Sequence, residues 1–249
     1  MGDEFSEDME YDVPEETFEE EVPEIEEEEI PEEEEILEEE EIPEEEEIPE
    51  ELILETRIFH FGTLSMTHEN VRRATKKAVA IAKQAGAIIS FDPNIREPLW
   101  NSMDEAREQV LYGLGQCHIL KISDNEIQWL TGKNDYTEAV KWIREKYDIP
   151  LILVSMGKEG SRAYYQDRMV EKAPFINENT IETTGAGDTF CACVLHYICK
   201  HGLENLTEKN LKEMLTYANA AASIITTRKG ALRVMPRPEE IKALIVGHH

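Results

Sequence analysis

From residue 57 onward the apolar positions follow two alternating periods. Arg57–Phe61 alternates and predicts a strand that Gly62 ends. Thr67 is placed to cap a helix running to about Ala85, with Val71, Ala74, Ala78, Ile81 and Ala82 on one face and Gly86 as its stop. Ala87–Phe91 is a continuous apolar run, the mark of a strand buried on both faces. Ser102 and Glu105 have capping-box spacing for a helix to Tyr112, and His118–Ile122 is the next strand. Leu151–Val154 is another strand. Ala163–Tyr165 and Met169–Glu171, turning at Gln166-Asp167, read as a hairpin. Three more helices are expected: one to about Lys200, an alanine-rich one from Glu208 to Thr227 ended by Gly230, and a short closing one near Pro236 and Pro238. Strand and helix alternate. The expected fold is therefore α/β, a mostly parallel sheet with helices on both faces.

The first 55 residues follow neither period. They hold 31 of the 54 acidic residues and no Lys or Arg, so they carry more negative charge than the net −29 of the whole chain, and the remainder, 23 acidic against 25 basic, is slightly positive. Ile30, Ile36, Ile42 and Ile48 recur every six residues among glutamates, and Pro31, Pro43 and Pro49 follow three of them. A period of six suits neither a helix nor a heptad, each proline resists a helix interior, and dense like charge opposes collapse. The reading is a disordered acidic tail, 1–55, followed by a near-neutral globular part, 56–249. A lure for a basic partner is the functional alternative for the tail. The globular part has no dense basic run for nucleic acid, and no apolar run is long enough to cross a membrane. The start lacks the basic-then-apolar order of a signal peptide, which gives a cytoplasmic expectation. Cys117, Cys191, Cys193 and Cys199 lack metal or redox spacing and read as reduced thiols.

The chemistry concentrates in Glu182-Thr183-Thr184-Gly185-Ala186-Gly187-Asp188-Thr189-Phe190. A Gly-Ala-Gly turn opening a helix lets backbone amides approach an anion, and the helix dipole adds to that. Asp188 stands where a carboxylate could take a proton from an attacking hydroxyl. An anion hole and a base in one turn suit phosphoryl transfer to an alcohol. By spacing alone, an ordinary glycine-rich strand-to-helix connection reads as well.

Thr183–Phe190 resembles the C-terminal signature of the PfkB carbohydrate kinases, the ribokinase-like family. The resemblance continues through Phe91-Asp92-Pro93-Asn94-Ile95-Arg96, Lys121-Ile122-Ser123-Asp124-Asn125-Glu126 and Thr227-Arg228-Lys229-Gly230-Ala231, and is nearest to the fructokinase-type branch. It covers about residues 57 to 249. It implies a ribokinase-like fold and ATP-dependent transfer to a sugar hydroxyl, with Mg2+ and, in some members, K+. It implies Asp188 as base and Gly185, Ala186 and Gly187 as anion hole. Ser123, Ser155, Gly157, Gly160 and Asn219 would meet the nucleotide, and Asn94, Arg96 and Lys121 the substrate or its phosphate. Glu126 would act near magnesium. Glu182, Thr184, Ile225, Arg228 and Gly230 would line a monovalent-cation loop. Two positions depart from the family pattern: Ser123 stands for Asn, and Glu182 for the more usual Asp. Ser123 and Glu126 also have the spacing of a simple capping box, and Arg96 could pair with Glu97 on the surface.

The family normally starts with a strand, a Gly-Gly turn, a sugar-gripping Asp and a lid of short strands. The glutamate repeat occupies that place here. Two other readings follow: a non-catalytic nucleotide-binding remnant, or a subunit that needs a second chain. An open sheet edge would favour self-association.

Overall fold

The computed structural model describes residues 48–230 and 232–247; the tail expectation for 1–47 lies outside the described residues. The described residues include some from before the expected boundary after residue 55. A short helix α1, Glu50–Leu54, buries Ile53, Ile48 packs on the same core, and Glu50 pairs with Lys77 at 3.4 Å. Past Ile48 the glutamate runs shorten and the apolar density of Leu52, Ile53 and Leu54 rises, which makes burial favourable.

Among the described residues, six strands form one sheet in chain order: β1 Ile58–Gly62, β2 Ile88–Asp92, β3 Ile119–Ser123, β4 Leu151–Ser155, β5 Ser161–Tyr165 and β6 Arg168–Lys172. β1 to β4 pair in parallel; β4, β5 and β6 pair antiparallel. The sheet is mixed, with its parallel part the one that alternates with helices, as expected. The hairpin turns at Gln166-Asp167, where Gln166 takes a φ of 50°.

The two faces of the sheet carry separate cores. One face, with Phe61, Ile89, Phe91, Leu120, Ile122, Ile152 and Val154, packs under α2 (Glu69–Gln84), α3 (Met103–Leu114), α4 (Asp124–Thr131) and α5 (Tyr136–Arg144). The other face, with Ile119, Leu151, Leu153, Ala163 and Val170, packs under α6 (Ala186–His201) and α7 (Glu208–Ile225). Period-2 alternation assigns each strand residue to one of these faces. A last helix, α8 (Pro238–Gly247), seats Ile241 on Ala220 and Ala221 of α7. Its proline is the first helical residue, where the missing N–H costs nothing.

Several element ends differ from expectation for local reasons. α2 starts after His68, which makes no side-chain cap; Thr67 instead closes a 3-10 turn, Thr63–Met66, and donates to the Leu64 carbonyl at 3.1 Å. Ser102 does accept from the Glu105 amide at 3.1 Å. The reciprocal half of that box is absent because the Glu105 carboxylate takes Arg72 and Asn101 instead. α7 ends at Ile225, where the hydroxyls of Thr226 and Thr227 satisfy the carbonyls of Ser223 and Ile224. Gly230 is left to close a loop. Of α4 only the Ser123–Glu126 capping box was anticipated, and α5 was not; each has a short apolar stripe, capped by Ser123 and Asp135 respectively.

Candidate active site

On the α6 side of the sheet, each strand changes character along its length. Ile58, Ile88, Ile119 and Leu151 lie toward the strand starts. His60, Ser90, Asp92, Lys121, Ser123 and Ser155 lie toward the carboxyl ends. The core beneath α6 therefore gives way to a polar floor at the end where ligands of parallel sheets bind. α6 begins over that floor. The Arg57 guanidinium donates to the carbonyl of Cys199 at 2.8 Å, which anchors the far end of the helix at the start of β1.

Gly185 precedes α6 with a φ of 77°, a left-handed conformation that favours glycine. The turn is tight: the Ala186 amide donates to the Thr183 carbonyl at 3.2 Å and the Thr189 amide to Gly185 at 2.8 Å. The amides of Gly187 and Asp188 have no acceptor among the described residues, and the helix has no side-chain cap. Unpaired amides at the positive end of a helix form an anion site. Asp188 is exposed beside them.

Below the turn lies a buried ion pair. The Lys121 ammonium meets Asp92 Oδ2 at 2.9 Å, and both side chains are almost fully enclosed. Asp92 Oδ1 has no hydrogen-bond partner among the described residues. Burial pushes the Asp92 carboxyl up to about 6, against the pull of Lys121 and with added repulsion from Glu126 and Asp188. Burial presses the Lys121 ammonium toward its neutral form, but the charge and hydrogen bond of Asp92 outweigh it, and the net direction is up. His60 is held on its strand by Ser90, Nδ1 to Oγ at 3.0 Å; desolvation lowers its pKa while Asp188 pulls it back up. Sequence reasoning assigned no role to His60 or Asp92. Their signal was present: both fall on the same face parity as Lys121.

Glu126 is firmly engaged. Its Oε2 accepts from the amide and hydroxyl of Ser123 at 2.9 and 2.7 Å, and its Oε1 from the Ile95 amide at 2.8 Å. Ser123 caps α4 in return, so the capping box is real. Asn94, on the β2 exit, has a φ of 44°. Arg96 is exposed and contacts the Ile95 carbonyl; it makes no ion pair with Glu97.

The nucleotide candidates separate. Ser155 ends β4 beside Ser123, and Gly157 follows it at a φ of 53° with open space around its Cα. Gly160 has a packing reason of its own: at a φ of 95°, a Cβ would stand 2.1 Å from the Lys172 carbonyl. Asn219 is buried, accepting from Ser161 at 2.8 Å and donating with both amide hydrogens to the carbonyls of Lys172 and Ala173 at 3.2 and 3.0 Å.

The cation-loop candidates are partly assembled. The amides of Ile181 and Glu182 donate to the Thr226 carbonyl, and the Gly230 amide donates to Glu182 Oε1 at 3.0 Å. Ile225 is buried, and its carbonyl accepts from the Arg228 amide. The Arg228 side chain turns away to Val234 and Glu240, and Thr184 is exposed. Among the described residues no three His, Cys, Asp or Glu side chains gather as a metal cage. Two carboxylates keep acceptor capacity: Glu126 Oε1 has one lone pair left, and the exposed Asp188 carboxylate has no hydrogen-bond partner among the described residues.

Residues 30–238 match the family model described as pfkB family carbohydrate kinase. The chain belongs to this family. Among curated pfkB-type relatives it is 38% identical over 194 residues to fructokinase-1 of Zea mays, covering 78% of this chain and 60% of the relative. It is 35% identical over 196 residues to fructokinase-2 of Solanum lycopersicum, covering 79% and 60%. Among solved structures, it resembles the fructokinase from Vibrio cholerae O395 bound to fructose, ADP and calcium. The TM-score is 0.68 at 27% identity, over 76% of this chain and 60% of that one. The chain thus spans about 60% of the length of these relatives. The fold is the ribokinase-like one, and no helix among the described residues is long and apolar enough to cross a membrane.

Proposed function

We propose that this chain is the nucleotide-binding portion of an ATP-dependent carbohydrate kinase that phosphorylates a sugar hydroxyl, fructose being the first candidate. The observation that carries the reading is the turn at Gly185–Asp188: two unpaired amides at a helix N-terminus beside an exposed carboxylate, above a polar floor at the strand ends. Family membership and the fructokinase relatives point the same way.

Asp188 accepts the proton of the attacking sugar hydroxyl. The Gly187 and Asp188 amides, with the Gly185 turn, receive the negative charge that spreads over the transferring phosphoryl oxygens. Lys121 adds positive charge beneath the turn. Asn94 and Arg96 at the β2 exit face the substrate side, and Ser123, Ser155 and Gly157 border the phosphates at the β3 and β4 exits. Gly160 and Asn219 shape that border by holding β5, β6 and α7 together. Mg2+ neutralises phosphate charge, with Glu126 and Asp188 as the carboxylates within its reach. K+ would fit, if anywhere, the loop joining Glu182 to Gly230.

The test is isothermal calorimetry with ATP–Mg2+, together with a coupled assay for fructose phosphorylation on the wild type and Asp188→Asn. Expected are ATP binding by both proteins and turnover by the wild type alone. Absence of ATP binding by the wild type overturns the reading.

One observation favours a second reading. β1 stands at the sheet edge, paired only with β2 among the described residues, while the chain spans 60% of its relatives. Such a portion would be completed by a second chain added along β1. ATP binding without turnover, with turnover restored by a partner, selects that version.

A further inference from the structure

The second glycine of the Gly185-Ala186-Gly187 turn has no backbone reason to be glycine. It sits in the first turn of α6 and has no positive φ. What crowds a side chain there is Lys121: a Cβ on residue 187 would stand 3.1 Å from Nζ and 3.8 Å from Cε, so the ammonium would have to give by a few tenths of an ångström. The ammonium is therefore pressed against the backbone that carries the two unpaired amides. Asp92 holds it there at 2.9 Å, and neither partner has much access to water.

A buried pair of this kind is a weak source of stability, since desolvation offsets most of the attraction. Here it is also incomplete, because Asp92 Oδ1 is buried with no hydrogen-bond partner among the described residues. A pair that serves the core would be expected to satisfy all its lone pairs. The other charges around it are Glu126 of α4, Asp188 of α6 and, through Asp188 and Lys121, His60 of β1; Cys191 of α6 is the remaining titratable neighbour. Among these groups Lys121 is the cation set under the turn.

We propose that Lys121 is a positioning residue of the anion hole. Gripped by Asp92, its ammonium is fixed beneath the Gly187 backbone, where it draws the terminal phosphate oxygens of a bound nucleotide onto the turn, and residue 187 is glycine to admit it. The pair is an oriented dipole with its positive end toward the ligand. This inference rests on the nucleotide reading above. It adds that Asp92 acts through Lys121 and that the pair serves phosphate rather than the nucleoside.

The experiment compares calorimetric affinities for ATP–Mg2+ and for adenosine, which has no phosphate, in the full chain. Expected for Lys121→Met is a loss of about tenfold or more for ATP–Mg2+ with adenosine unchanged, as for removal of one fixed positive charge near a phosphate. Asp92→Asn keeps the ammonium but frees it from its anchor, and should also lose ATP–Mg2+ affinity selectively although it removes a negative charge. Lys121→Arg should keep ATP affinity within about threefold, because the charge remains. Gly187→Ala supplies a variant that leaves the charge in the core but displaces it, and it should show the same ATP-selective loss even if Lys121→Met does not fold. Equal losses for ATP and adenosine, or no loss for either, overturn the positioning role while leaving the kinase reading intact. A wild type that binds adenosine but not ATP–Mg2+, or binds neither, removes the nucleotide reading and this inference with it.

Discussion

The Ser161 hydroxyl donates to Asn219 Oδ1 at 2.8 Å, joining β5 to the middle of α7 across 58 residues of sequence. The Asn219 amide then donates to the carbonyls of Lys172 and Ala173, so one side chain ties a helix to both strands of the hairpin. By sequence resemblance Asn219 was a nucleotide contact. In the fold both of its amide hydrogens and one lone pair of its oxygen serve the protein. Asn219→Leu should leave one hydroxyl and two carbonyls unsatisfied in the interior and cost about 2–4 kcal/mol. Urea unfolding measures this; a variant as stable as the wild type would show that the tie is dispensable.

Gly160 lies at the other end of the same tie. Its φ of 95° and the 2.1 Å approach of the Lys172 carbonyl leave no room for a methyl group. Gly160→Ala should lose more than about 3 kcal/mol, since backbone on both sides must shift. Gly157→Ala, in open space at a φ of 53°, should cost only the strain of about 1 kcal/mol. Thermal melts of the two variants side by side should separate them clearly.

Glu126 combines a cap and a clasp. It receives the Ser123 amide and hydroxyl on one oxygen and the Ile95 amide on the other, linking the β2 exit to the start of α4. Glu126→Gln must lose at least one of these bonds because an amide nitrogen cannot accept. The expected loss is about 1–2 kcal/mol of stability in buffer free of divalent metal. If the variant is as stable as the wild type without metal and differs only when Mg2+ and nucleotide are present, the clasp is not what this carboxylate does.

Asp92 makes stability depend on pH. Its carboxyl is raised from 3.8 to about 6 in the fold, so the folded chain binds the proton more tightly than the unfolded chain. The contribution is fully present below the unfolded value and is lost as pH rises through the folded one. Ionising this group between roughly pH 4 and pH 6 should therefore remove about 3 kcal/mol. Asp92→Asn does not titrate. The difference in unfolding free energy between wild type and variant should shift against the wild type as pH rises across that window, then flatten near neutrality. A constant difference would show that the carboxyl is not raised.

Asp188→Asn should leave stability within about 0.5 kcal/mol, as an exposed side chain with no hydrogen-bond partner among the described residues. Under the kinase reading the same change should lower turnover by about 100-fold or more in a form of the enzyme that turns over. Retained turnover would move the base elsewhere.

The order of elements was legible because it rests on local rules. Strand β1 announced itself by alternation and β2 to β4 as apolar stretches, the hairpin by Gln166-Asp167, and α6 by a Gly-Ala-Gly turn before an apolar stretch. Of the short helices, α5 was missed and α4 showed only its capping box, because eight or nine residues give too little periodicity. Thr67 failed as a cap because the chain makes a 3-10 turn first.

The sequence by itself determined that an acidic, repetitive segment precedes an alternating α/β chain, and that the Gly185–Asp188 turn opens a helix. Those properties depend on residues within a few positions of each other. The tertiary structure alone decided that Lys121 and Asp92 form a sealed pair under Gly187, that Asn219 serves the hairpin, and that Glu126 reaches back to Ile95. Each of these joins groups that strand register and helix placement bring together, and hydrogen bonds of a few ångströms cannot be read from residues that stand 29 to 66 positions apart in the chain.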